Sequence, residues 1–280
     1  MAPRYSRDVE PYLSSVVGAC AGPDSGIISA ILFGSAATGS YAPEISDVDL
    51  LIVLVDRATK QDRCRARDTI SDIEARCGLG KHHPHRRRAL DAVADRLTAN
   101  VRSFFVCTRG DLLSGDPARI LGISASQAMF VDRVAVPSIL ASGVTIWGEH
   151  LLPHVPLPPI RRFDVAKAFF SLFNQVLFVV VAYPLLSNGT KQAMDALKRS
   201  IHNCYFCYHS QGAQLSAEVA FFQQRLSAAP GSNLEQLMRL RSVYQPSFRF
   251  VLRCLPTLVR LHWVTAWENR FPREPRVAQS

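Results

Sequence analysis

Four residues in the first fifth of the chain have types and spacing that can do chemistry: Gly34, Ser35, Asp47 and Asp49. Asp47 and Asp49 flank Val48, and residues two apart in an extended strand project to the same side. Their carboxylates therefore aim at one spot and repel unless a cation lies between them. Hard oxygen donors of this kind suit Mg²⁺. Gly34 lets a phosphate approach the backbone closely, and Ser35 adds a hydroxyl and an N–H. A phosphate cradle facing two metal-binding acids is the equipment for phosphoryl or nucleotidyl transfer.

Two apolar runs must hold these residues in place. Ile31-Leu32-Phe33 and Leu50 to Val55 read as strands buried on both faces. Between them, Ala36 to Gly39 begins a short helical turn whose N-terminus adds partial positive charge to the phosphate site. Tyr41 to Ser46, with Pro43, is the loop into the second strand.

Phe33-Gly34-Ser35, eleven intervening residues and Asp47-Val48-Asp49-Leu50 resemble the signature of the DNA polymerase β-like nucleotidyltransferase superfamily. Ser46 and the apolar run after Asp49 are also similar to that family. The resemblance implies an α+β fold: an N-terminal mixed sheet with flanking helices, then an all-α bundle like that of the antibiotic nucleotidyltransferases. It implies a nucleoside triphosphate held with its phosphates at Gly34-Ser35, one or two Mg²⁺ held by Asp47 and Asp49, and attack by an acceptor hydroxyl with release of pyrophosphate. Cations from the helical region would neutralise the phosphates, and Lys191 and Lys198 are the candidates by charge and placement.

The family commonly carries a third carboxylate on a later strand, as general base or further metal ligand. Its expected place is near the start of Val101 to Thr108, where Ser103 stands, and no acid lies on that strand. Asp111 and Asp116 follow in a stretch that reads as a loop. Three readings stay open: a base from elsewhere, an enzyme relying on metal and positioning alone, or a catalytically weakened, nucleotide-binding regulatory or antitoxin-like protein. General-base assistance is worth roughly 10²–10⁴-fold, so its loss slows transfer without abolishing it.

The 280 residues carry 32 Lys/Arg against 23 Asp/Glu, a net charge of +9, with 48% hydrophobic residues. Residues 1–150 hold 17 Lys/Arg and 17 Asp/Glu; residues 151–280 hold 15 and 6, so the excess lies in the second half. Such a half favours an anionic partner, the triphosphate or an RNA end, unless it is a plain bias toward arginine. Polycationic aminoglycosides call for acids, of which this half has only Asp164, Asp195, Glu218, Glu235, Glu268 and Glu274, so the expected acceptor is a neutral small molecule or an RNA end. Seven scattered cysteines suit a reducing cytoplasm. Met1 to Ser6 lacks an apolar leader run, and Ala166 to Leu186, interrupted by Lys167, Asn174 and Gln175, reads as a buried helix with no membrane partner expected.

Along the chain, the spacing predicts helices over 6–20, 61–76, 88–98 and 128–141, the last interrupted by Pro137. Val144 to Glu149, continued by His150-Leu151-Leu152, reads as a closing strand and turn. The nucleotidyltransferase region is expected over 1–152, a Pro-rich linker over 153–161, a helical acceptor-binding bundle over 162–270 and a tail over 271–280. Its helices are expected over 162–184, 190–209, 214–227, 234–242 and 248–268, with a kink at Pro256. His82, His83 and His85 lie among cations in a charged loop. Cys204 and Cys207, with CxxC spacing, read as core cysteines rather than a zinc pair.

Overall fold

The computed structural model describes residues 9–23, 25–42, 46–79, 103–123, 134–156 and 159–269. Helix α1 (Glu10–Cys20) buries Tyr12, Leu13, Val16 and Cys20. Strand β1 (Ile27–Phe33) runs directly into the single turn α2 (Gly34–Ala37), and β2 (Asp49–Leu54) follows. Helix α3 (Lys60–Arg76) starts at a reciprocal cap in which Thr59 Oγ1 accepts the Asp62 N–H and the Asp62 carboxylate accepts the Thr59 N–H.

Strand β3 spans Phe104–Thr108, and Ser103, the residue ahead of it, lies outside the strand. Residues 101 and 102 of the expected strand lie outside the described residues. The stretch expected to be a loop after β3 is helical instead. Thr108 and Asp111 cap each other and start α4 (Arg109–Leu113), and the Asp116 carboxylate accepts the Ala118 N–H to start α5 (Pro117–Leu121). Both acids are thereby committed to helix starts. Helix α6 (Ala135–Ala141) is not broken by Pro137, which falls in the first turn, where a backbone N–H has no intrahelical partner to lose. Strand β4 (Val144–Gly148) ends at Gly148, whose φ of 77° turns the chain. Leu152–His154 is therefore a 3₁₀ turn and not a continuation of the strand.

The sheet order is β3-β2-β1-β4. β1 pairs antiparallel with β2 and with β4, while β2 and β3 are parallel. Alternation along the strands sends Leu32, Leu50, Ile52 and Val106 into one core with α1 and α3. Ile31, Phe33, Leu51 and Val53 enter a second core with Leu112, Ile120 and Val136 on the other face. The strands are thus buried on both faces, as their unbroken apolar runs require.

The second half is helical: α7 (Arg162–Ala182), α8 (Gly189–His209), α9 (Leu215–Gln223), α10 (Ala228–Ser242) and α11 (Phe248–Glu268). They share a core that includes Val176, Leu197, Phe222, Leu237 and Leu258. Helix α10 starts six residues before the expected 234, because Pro230 and Gly231 lie in its first turn instead of breaking it. Pro256 lies inside α11, which continues through it. Within the described residues, Arg162–Leu185 is the one helical stretch long and apolar enough to cross a membrane; it is not the buried helix expected, since one side packs in the bundle core while Phe163, Phe170 and Val181 on the other side stay exposed. The expected helix over 88–98 and the histidine loop at 81–88 lie outside the described residues.

Candidate active site

The sheet brings the Gly-Ser and the Asp-x-Asp segments together through its register. Phe33 is opposite Asp49 in the β1–β2 pairing, so the residue after Phe33 meets the start of β2. Gly34 takes φ +69°, and a Cβ built there would overlap Asp49 Oδ2. Glycine is therefore required on two counts: the left-handed backbone and the carboxylate lying over its Cα. Residues 46 to 50 alternate between buried and part-exposed, with Ser46, Val48 and Leu50 inward and Asp47 and Asp49 both on the open side. Ser35 is buried in α2. Its carbonyl accepts the Ser40 N–H, while Thr38 closes the turn onto Gly34 O.

The approach to Asp47 is pinned from both halves of the chain. Ser46 and Ala42 exchange hydrogen bonds: Ser46 N–H donates to Ala42 O at 2.8 Å, and Ala42 N–H donates to Ser46 Oγ at 3.0 Å. Arg241, on α10, donates from Nη2 to Ser40 O at 2.5 Å and to Ser46 Oγ at 3.4 Å. The Leu215 N–H reaches Ser40 Oγ at 3.4 Å, and Ala42 packs against the helical core. Burial pulls the Arg241 guanidinium below the usual arginine pKa, while the nearby Asp195 charge acts the other way. The helical half thus places a desolvated cation against the residue next to Asp47.

Of the two cations expected in that role, Lys198 forms an ion pair with Asp195 at 3.5 Å, three residues away on α8. Lys191 is half-buried on the same helix, and its backbone hydrogen-bonds Tyr244. Among the described residues, the cation seen to reach the loop is Arg241. No spacing rule could find it, since 201 residues separate it from Ser40.

At Ser103, where an acid was expected, the structure brings one from another element. Glu74 on α3 is buried, and its Oε1 accepts from Ser103 Oγ and, at 3.4 Å, from Tyr12 OH. Ser103 immediately precedes the residue that pairs with Leu50, so it is Asp49's neighbour across the sheet. Burial drives the Tyr12 phenol far above its ordinary pKa, with the charges of Glu74 and Asp49 adding to the effect. A signal for Glu74 was present in the sequence: it stands four residues after Ile70, on the apolar stripe of α3, where a carboxylate is out of place.

Asp47 and Asp49 offer hard oxygen donors that would suit a divalent cation such as Mg²⁺. Among the described residues, no group of three or more His, Cys, Asp or Glu side chains forms a metal cage. Of the CxxC pair, Cys204 is buried as expected but Cys207 is only half-buried, both as free thiols, while His202 Nδ1 pairs with the buried Glu218 carboxylate at 2.5 Å.

Residues 15–77 match the family model described as a nucleotidyltransferase domain. Residues 15–77, which span α1, β1, β2 and α3, are thus similar to a nucleotidyltransferase domain, and a helical region follows the sheet. Among solved structures, the chain is similar to the spectinomycin adenyltransferase AAD(9) from Enterococcus faecialis, determined with ATP and spectinomycin. The TM-score is 0.52 at 11% identity, over 91% of this chain and 98% of that one, which shows a shared fold. No curated protein matches the chain.

Proposed function

We propose that the protein transfers a nucleoside monophosphate from a nucleoside triphosphate, ATP in the first instance, to a hydroxyl of a small molecule, releasing pyrophosphate. The observation that carries this reading is the Asp49 carboxylate lying over the Cα of Gly34 at the start of α2, with Asp47 on the same open side. A phosphate chain at Gly34-Ser35 would face both acids. Asp47 and Asp49 would hold Mg²⁺, which when bound supplies charge neutralisation between the triphosphate and the two acids. Arg241 would add a fixed positive charge at the Ser40–Ser46 loop, and Lys191 and Lys198 would lie further along the same helical surface. Glu74, through Ser103, would keep the start of β3 aligned beside Asp49.

The likeness to an adenyltransferase solved with ATP and spectinomycin supports a small hydroxyl-bearing antibiotic, more than an RNA end, as the acceptor class. The shortage of acids in residues 151–280 supports a weakly charged acceptor. Domain limits at 1–152 and 162–270 accord with this division of labour, as does a cytoplasmic location.

The test is pyrophosphate release from each of the four nucleoside triphosphates with Mg²⁺, against a panel of hydroxyl-bearing antibiotics and against tRNA, with Asp47→Asn/Asp49→Asn as control. Release with one antibiotic that vanishes in the control supports the reading. Release only with tRNA replaces the acceptor. Mg²⁺-dependent nucleotide binding without release from any acceptor replaces the transferase by a nucleotide-binding regulator.

A further inference from the structure

Eleven large apolar side chains are exposed among the described residues, and ten of them belong to α7 with its trailing 3₁₀ turn (Tyr183–Leu185) and to α11. The two helices are antiparallel neighbours. Arg162 lies over the Trp267 ring at 5.7 Å, Phe169 meets His262 at 5.6 Å, and Tyr183 meets Phe248 at 4.8 Å. Along α7 the exposed residues fall at 163, 170, 177 and 181, and along α11 at 248, 252, 259, 263 and 267. Both spacings follow one face of a helix, so the two stripes run side by side down the outside of the bundle.

This face is larger than a lone monomer ordinarily leaves in water. Phe163 is 75% exposed, Val181 76% and Trp267 61%. With about 150–250 Å² on each aromatic side chain, the ten residues present on the order of 1,000 Å². The largest apolar patch on a typical monomer is about 300–600 Å², and a stable interface takes about 800 Å² from each partner. Each helix has 21 residues, a length of roughly 31 Å. The pair has the dimensions of half a four-helix bundle.

We propose that this face is the contact between two copies of the chain, which pair through a two-fold axis to make a four-helix bundle of α7 and α11 from each. The face is graded along its length. One end carries the aromatics Phe163, Phe170, Trp263 and Trp267; the other carries Val181, Leu185 and Leu252, with Phe248 the one exposed aromatic there. A two-fold axis across the helices lays the large side chains of one copy on the smaller ones of the other. It also brings exposed Glu268, at one end, opposite exposed Arg249, at the other. An isologous contact needs this kind of self-complementarity. Arg253 and Arg260 follow on α11 beside the stripe, in the rim that water still reaches. The pairing does not depend on the transferase reading.

Sedimentation equilibrium of the full chain tests it. The expected mass is twice 31.0 kDa, kept at about 0.5 M salt because apolar contact dominates. Trp263→Glu/Trp267→Glu on α11, and independently Phe163→Glu on α7, should each weaken association at least about 100-fold while leaving the thermal melt of the monomer in place. Should the double variant fail to fold, Phe163→Glu decides alone. Arg249→Glu should weaken the pair, and Glu268→Arg added to it should restore it. A monomer at about 100 µM overturns the proposal, as does a dimer that all these substitutions leave unchanged. So does wild-type protein that floats as a monomer with anionic vesicles, which would assign the face to a membrane surface.

Discussion

The sheet region and the helical region treat their surfaces in opposite ways. The sheet covers both faces of its strands and exposes its acids at one end, where β1 turns into α2 and β2 begins. The helical region buries one side of its longest helices, leaves the outer side of α7 and α11 bare, and sends a single guanidinium from α10 back to the loop before Asp47. The contrast shows where rigidity comes from. In the sheet, register fixes which residues meet, so one glycine and one aspartate oppose each other by construction. In the helices, the meeting of distant residues depends on how the bundle docks against the sheet.

The sharpest way to separate the two regions is to remove the acids. Asp47→Asn/Asp49→Asn should lower pyrophosphate release at least about 10³-fold, while the far-UV spectrum and the helical core stay as they are. Next comes Gly34→Ala. Its Cβ would displace the Asp49 carboxylate and force a strained φ of +69°, so the rate should fall roughly 10²-fold, with a loss of about 1–2 kcal/mol of stability read from urea titration. Both changes act on the sheet alone.

Changes in the helical region should act on binding more than on turnover. Arg241→Met removes the positive charge and both hydrogen bonds to the Ser40–Ser46 loop. The KM for the nucleotide should rise about 10-fold with a smaller change in kcat, since one charge-assisted contact is worth about 1.5–3 kcal/mol. An equal fall in kcat with KM unchanged would mean that Arg241 serves the transition state and not nucleotide binding.

The smallest effect at neutral pH belongs to His262 in the bundle. It is buried, its Nε2 meets Ser200 Oγ at 2.8 Å, and Phe169 packs against its ring. Burial pushes its pKa down from 6.5 to about 4. The fold holds the neutral ring, so this contribution is complete above pH 6.5. It drains away as pH falls toward 4, because there the unfolded chain takes up a proton that the fold refuses. The loss is on the order of 3 kcal/mol across that window. Thermal melts at pH 7 and pH 4.5 should show it, and His262→Gln should flatten the difference.

Some of this was legible along the chain. The two apolar strands, the Gly34-Ser35 turn and the Asp47/Asp49 pair were visible because a strand's two-residue period converts spacing directly into direction. Ile70 and Ile73 marked the inner face of α3, and the five helices of the second half followed from their apolar periodicity. The helix starts near Asp111, Asp116 and Pro230 are not legible in the sequence, because the same residue types serve a loop or a cap and only the neighbouring backbone decides which. Lys191 and Lys198 carry the charge a phosphate site needs, but helical spacing cannot aim a side chain at a site on another element.

The order of residues by itself determined the two-faced burial of β1 and β2 and the pairing of a glycine turn with two acids on one side. These depend on local period and steric rules. Tertiary structure alone decided that Glu74 fills the place beside Ser103, that Arg241 reaches the Ser40–Ser46 loop, and that α7 and α11 share a bare apolar face. Each depends on contacts between elements 29 to 201 residues apart, and chain spacing carries no direction over such distances.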